Sequence, residues 1–379
     1  ITFYGITGAS KGLTVDGGFQ LSTYDATGLA SLSVTGASTL AANVTSTGVQ
    51  NYQSATTLGA NNTLTTTNSN IIFGGAVDSD STSRNLTINM GAGTTQFAGV
   101  VGGTNAIGAI DVTGALDLNA AIANAASLDV SGTSNIGADV TTTGTQSYSG
   151  TTTLSGGDRT LQGSTITMAA VTGTGSHDLT VTGNLDLDGA VTNVVELDIT
   201  GTSNLGANVT TSGTQNYQGA TTLSSGDRTL TASTVTLSAV TGGSNALTVT
   251  GNLDLNGAVS GVTNMSVSGT SNIGADVTTT GTQSYTGTTT VSASSTLIGT
   301  EISAAAIALN DDLEIRNSSD STLTSVISGT GALTKSGSGA LTLRGVNTFD
   351  GDLTVSAGTL FAGLAADSGN QVIENNVTV

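Results

Sequence analysis

The sequence has no cysteine, no proline and no tryptophan, and only seven lysines and arginines among 379 residues. Without cysteine there is no disulfide framework, no thiolate metal site and no thiol nucleophile. Without proline, no backbone donor is missing where a central strand needs one. Six phenylalanines and six tyrosines are too few to fill a thick globular core, although small apolar residues stacked in layers fill a narrow one. Charge is scarce and one-sided: 26 acidic residues give a net charge of −19, which repels nucleic acid and anionic membrane. No run reaches the roughly 18 apolar residues of a membrane helix. The start at Ile1 shows no signal peptide, and the chain stops within the strand-like Asn375-Asn-Val-Thr-Val379, as expected of a piece cut from a longer precursor.

What the sequence has instead is repetition. The 24 residues from Ser131 to Leu154 recur from Ser268 to Val291 with 22 identities and from Thr200 to Leu223 with 17, and a looser copy runs from Thr35 to Leu58. Gly132, Gly201 and Gly269 are 69 and 68 apart, as are Tyr148, Tyr217 and Tyr285. Self-similarity at a fixed period indicates coils that bury their apolar residues against neighbouring coils. A shorter spacing of 18 residues separates Gly114, Gly132 and Gly150, so each unit is expected to hold about four coils. Between Tyr52 and Tyr148 the interval is 96 residues, which suggests about one and a half extra coils between Leu58 and Val101.

Within a coil the period is two. Leu179, Val181, Leu185, Leu187 and Val191 alternate with Thr, Asp and Gly, the pattern of strands with one buried face. The fold class predicted is all-β: a parallel β-helix (β-solenoid) of about 18 residues and three short strands per coil, without helical spacing anywhere. The organisation predicted is an aromatic-rich cap or first coil over 1–30, repeating units over 31–310, and a continuing solenoid over 311–379. The one-residue difference between units falls where Gly173–Leu179 aligns with Gly242–Leu247, which reads as a turn because a deletion in a strand reverses its side chains. Tyr148, Tyr217 and Tyr285 read as markers of one special turn per unit, and Asn135, Asn204 and Asn272 as turn residues.

Chemistry is thin. His177 is the only histidine and aligns with Asn245, so a triad or His-based metal site has no recurring support, and it reads as an exposed turn residue. Asp158-Arg159 and Asp227-Arg228 recur 69 apart and read as exposed ion pairs. Asp186, Asp188, Asp254 and Asp311-Asp312 offer hard oxygen ligands for calcium, but without EF-hand or nonapeptide spacing they read as solvated edge charges. Thr-x-Thr pairs such as Thr165/Thr167 and Thr180/Thr182 raise an ice-binding face, although threonine is also what an outward strand position prefers. No catalytic, cofactor or metal residue is assigned, and the chain is expected not to be an enzyme.

From Gly329 to Leu360 the sequence resembles the autotransporter-associated β-strand repeat, whose fixed positions are met at Gly331, Leu333, Lys335, Gly337, Gly339, Leu341, Leu343, Gly345, Asn347, Phe349, Gly351, Gly358 and Leu360. Phe349 stands where that family more often has tyrosine. The earlier Gly-Thr-Gln-Ser-Tyr and Gly-Asn-Leu-Asp-Leu themes resemble, more loosely, the filamentous-haemagglutinin-type repeats of large bacterial exoproteins. The resemblance implies right-handed parallel β-helices, export through an outer-membrane pore, and an extracellular life as adhesin or surface fibre. The partners it implies are that pore, an unidentified surface or glycan receptor, and other copies of the chain. The alternatives are a self-assembling extracellular filament or matrix, and a polysaccharide-binding or -cleaving β-helix.

Overall fold

Short runs of Val, Leu, Ile and Thr, broken every few residues by Gly, Asn or Asp, leave the chain mostly short strands, with a few that run on as far as the 16 residues of Val240–Leu255. A computed structural model describes residues 1–173 and 177–362, with the backbone of 377–378. Among the described residues there are 44 strands and no helix. Strands stack in parallel on the strands one turn of chain away, at about 19 residues per turn, a parallel β-solenoid as expected. A coil carries three strands: Ser271–Ile273, Val277–Thr279 and Gln283–Tyr285 complete one turn before Thr289–Val291 pairs back on the first. Along each, the burial alternates buried, half-buried, buried, the period-two pattern of one inward face.

Contacts divide the chain into two compact units, Ile1–Val195 and Glu196–Val379. In the first, one inward column runs Val34, Tyr52, Phe73, Phe97, Leu118, Ile136, Leu154. Its aromatic members stack, with centroids 5.3 Å apart for Tyr52–Phe73 and 5.2 Å for Phe73–Phe97. The aromatic-rich start contributes Phe19, buried, with Phe3 at 5.7 Å, whereas Tyr4 and Tyr24 are exposed. In the second unit a column runs Ile199, Tyr217, Leu237, Leu255, Ile273, Val291, Leu309.

These columns correct the coil arithmetic. Four turns from Tyr217 lead to Val291, and Tyr285, the sequence copy of Tyr217, lies one strand earlier, in the column of Val249 and Val267. The repeat therefore advances three and two-thirds turns rather than four. In the first unit five turns from Tyr52 lead to Leu154, and Tyr148 again lies one strand earlier, with Val112 and Val130. That interval is four and two-thirds turns, so the insertion is one wider coil rather than one and a half. The reason is that a turn needs 18 residues only where its corners are tightest: Tyr52 to Phe73 takes 21 and Phe73 to Phe97 takes 24.

Three turn assignments also change. Tyr52, Tyr148, Tyr217 and Tyr285 lie on strands and are fully buried. Asn135 and Asn272 are the outward middle residues of Ser134–Ile136 and Ser271–Ile273, and Asn204 holds the same place in Ser203–Leu205. Gly242–Leu247 lies inside the continuous strand Val240–Leu255, where the register slips and Gly243 and Ser244 take positive φ. A bulge absorbs the length difference. Of the aligned segment, 174–176 lie outside the described residues.

Candidate functional site

The repeated motif Thr-Thr-Gly-Thr-Gln-x-Tyr places a polar cluster inside the solenoid. In Val277–Thr279 and Gln283–Tyr285, alternation points Val277, Thr279, Gln283 and Tyr285 inward across one corner, and all four are buried. Gln283 Nε2 donates to the Val277 carbonyl at 3.0 Å, to Thr279 Oγ1 at 3.4 Å and to the Ile298 carbonyl of the next coil at 2.7 Å. Its Oε1 accepts from the Tyr285 hydroxyl at 3.0 Å, and Thr279 Oγ1 donates to the Gly281 carbonyl at 3.0 Å. The same bonds recur at Gln50–Tyr52, Gln146–Tyr148 and Gln215–Tyr217, with hydroxyl-to-amide distances of 3.0, 2.9 and 3.0 Å.

Every side-chain polar atom of this cluster is bonded, as burial demands. Burial raises the affinity of all four tyrosine hydroxyls for their protons well above the usual value. The arrangement ties two strands of one coil to the next coil and offers no atom to solvent. Sequence reading recognised the tyrosines but missed the glutamines. The signal was present, since Gln and Tyr two residues apart on a strand share a face.

A second buried corner belongs to the family-like segment. Lys335 is wholly enclosed, and its ammonium donates to the carbonyls of Ser336, Gly337 and Ala357 at 2.6, 3.0 and 3.2 Å. Desolvation lowers its proton affinity. Gly358, at φ 79°, passes so close that a Cβ there would press on Lys335 Nζ. One coil earlier, Asn317 caps the same corner, donating to the Ser319 and Ala340 carbonyls at 2.7 and 2.8 Å. Asn347 Oδ1 accepts from the Ile327 backbone at 2.9 Å, and Phe349 is buried. The fixed Lys, Gly, Asn and aromatic positions are thus structural positions within a coil.

The remaining candidates disperse. His177 is half-buried rather than exposed, and its carbonyl accepts from Val195. Asp158 and Arg159 do not pair with each other. Arg159 lies 3.7 Å from Asp139 and donates through Nε to the Ser155 carbonyl, and Asp158 accepts from the Asp178 backbone. Arg228 is buried and bonds the Ser224 carbonyl, while Asp227 accepts from Ala246. Asp158 and Asp227 precede the strands Arg159–Gly173 and Arg228–Leu237, and each arginine turns instead to the carbonyl four residues before it.

Among the aspartates weighed for calcium, Asp254 accepts from Asn272 at 2.8 Å, Asp311 from Ser294 at 2.6 Å, and Asp312 from the Ala332 backbone at 2.8 Å. The Ser294 hydroxyl and the Asp312 backbone hold the Asp311 carboxyl below the usual range. Asp186 pairs in register with Thr167, and Asp188 follows in the bend after the same strand. Among the described residues no three of His, Cys, Asp or Glu stand together as a metal set. Thr180 stacks on Thr160 but Thr182 on Gln162, and Thr165 and Thr167 face Asn184 and Asp186, so the threonine pairs do not build a continuous array.

Residues 333–360 match the passenger-associated-transport-repeat family. With the β-solenoid around it, that repeat fits the passenger domains of autotransporters. Neither the curated proteins nor the solved structures contain a match.

Proposed function

We propose that this chain is part of an exported bacterial passenger, and that it acts outside the cell as a non-enzymatic stalk, rod or fibre segment that carries or spaces an adhesive region. The observation that carries the reading is the transport-type repeat at 333–360, whose coils stack in register on those before it: Leu313 on Leu333, and Leu333 on Leu353. The interior supports it. The repeated Gln and Tyr side chains turn inward and tie one coil to the next. The absent cysteines agree with passage through a pore as an extended chain, which a disulfide obstructs.

Net charge of −19 disfavours close lateral packing of copies, which sets the stalk ahead of the self-assembling filament. A cleaving β-helix needs paired acids converging on one bond, and Asp254, Asp311 and Asp312 are each taken up by a separate partner. The test is surface labelling of the producing cells. Antibody to this segment labels intact cells, and brief external protease removes the label; labelling only after lysis contradicts the proposal.

A further inference from the structure

At one corner of the second unit the chain leaves a groove of about 330 Å³ along four successive coils, near the lower end of the roughly 300–1,000 Å³ typical of small-ligand sites. Its floor is low because the corner residues are small or turned inward: Gly299, Gly337, and Asn317 with its amide spent on the Ser319 and Ala340 carbonyls. Each coil raises one hydroxyl to the rim, from Thr280, Thr300, Ser318 and Ser338. Successive hydroxyls therefore follow the coil spacing, about 4.8 Å, close to the length of one hexose residue in an extended chain. One wall is Arg316, half-exposed and held at 2.9 Å by Glu314.

The groove's chemistry selects among ligands. The backbone N–H groups of Thr300, Ser318 and Ser319 are already spent on Gly281, Gly299 and Thr300 carbonyls, so no nest of free donors faces an anion. Arg316 is neutralised by Glu314, within a chain of net charge −19. What remains is a row of hydroxyls, of which Ser338 keeps its proton on the Ser318 carbonyl at 3.4 Å and offers lone pairs, beside an ion pair that both donates and accepts. We infer that this groove is a binding site for an extended neutral glycan lying along the solenoid axis, with about three hexose residues, one per coil step of about 4.8 Å, seated between Thr280 and Ser338. The inference is independent of the export reading: an exported stalk can lack the site, and the site can exist in a segment that is not a stalk.

The probes are cellohexaose, maltohexaose and an oligoguluronate of equal length, titrated by NMR against the intact chain. Shifts confined to Thr280, Thr300, Ser318 and Ser338 with a neutral glycan, and an affinity at least tenfold weaker in Ser318→Phe, support the site. Ser318 is exposed, and an unchanged unfolding midpoint in the variant shows that the fold is kept. A conservative Ser318→Thr variant retains binding. No shifts with either neutral probe at millimolar concentration, equal affinity in Ser318→Phe, or preference for the oligoguluronate overturns it.

Discussion

At the residue scale the interior is unusual for how much polarity it contains and how completely the Gln–Tyr clusters use it. Gln215 Nε2 reaches the carbonyls of Val209 and Thr231 at 3.2 and 2.9 Å while its Oε1 accepts a hydrogen bond from the Tyr217 hydroxyl. The Ser271 and Thr289 hydroxyls, stacked in register, show the contrast, being buried with no hydrogen-bond partner. The tyrosines give a pH dependence of definite sign. Their folded-state pKa lies above the unfolded value of about 10, so above pH 10 the unfolded chain releases these protons first. Stability therefore falls as pH rises through about 10. Lys335 acts oppositely, since its folded pKa is lowered, but one lysine stands against four tyrosines. Denaturant titrations at pH 8 and pH 11 are expected to show a large loss for the native chain. Tyr217→Phe is expected to lower stability by about 1–3 kcal/mol at pH 8 and to lose less on going to pH 11; an equal alkaline loss contradicts the assignment.

At the scale of the element, corners rather than strands decide whether coils can stack. Gly251, Gly269 and Gly287 lie one above another, and a Cβ on Gly269 would run into the backbone of Gly251, which itself takes φ 130°. Gly269→Ala is expected to destabilise by more than about 1 kcal/mol, measured as a lowered denaturant midpoint, while Gly18→Ala, whose Cβ would come no nearer than 3.6 Å to the Ala37 carbonyl, costs less. Equal effects at the two positions contradict the column.

This scale is also where the sequence was most and least readable. Leu179, Val181, Leu185 and Leu187 announced strand by period alone, and all four are buried on the single strand Leu179–Leu187, with Gly183 at positive φ in its middle. Asn135 misled, because asparagine's turn preference yielded to a bond across coils to Asp117 at 2.8 Å. That bond depends on a register which no local pattern specifies. Arg159 misled for the same reason, its partner Asp139 lying a coil away.

At the scale of the whole molecule the governing feature is the mismatch between sequence repeat and coil. Each copy arrives one strand short of a full number of turns, from Tyr52 to Tyr148 within the first unit and from Tyr217 to Tyr285 within the second. Equivalent outward residues of successive copies in a unit therefore lie on different faces. A ligand reading one flat face does not meet the same motif twice in succession. The buried Gln–Tyr cluster accounts for the inward part of the repeat, and exposed Thr133, Asp139 and Thr143 are kept as well, at Thr270, Asp276 and Thr280. No sequence spacing revealed this, because the 18-residue step of the glycines holds only at the tightest coils.

The most direct test of the account is its register. The native chain has no cysteine, so engineered pairs report cleanly, and a disulfide requires Cα atoms about 4.4–6.8 Å apart. Outward Asn272 stacks on Thr290, and Asn216 on Thr236. The double variants Asn272→Cys/Thr290→Cys and Asn216→Cys/Thr236→Cys are expected to oxidise readily to intramolecular disulfides, and Asn272→Cys/Thr288→Cys not to. Failure of the first two, or equal oxidation of the third, contradicts the stacking of coils on which every functional statement rests.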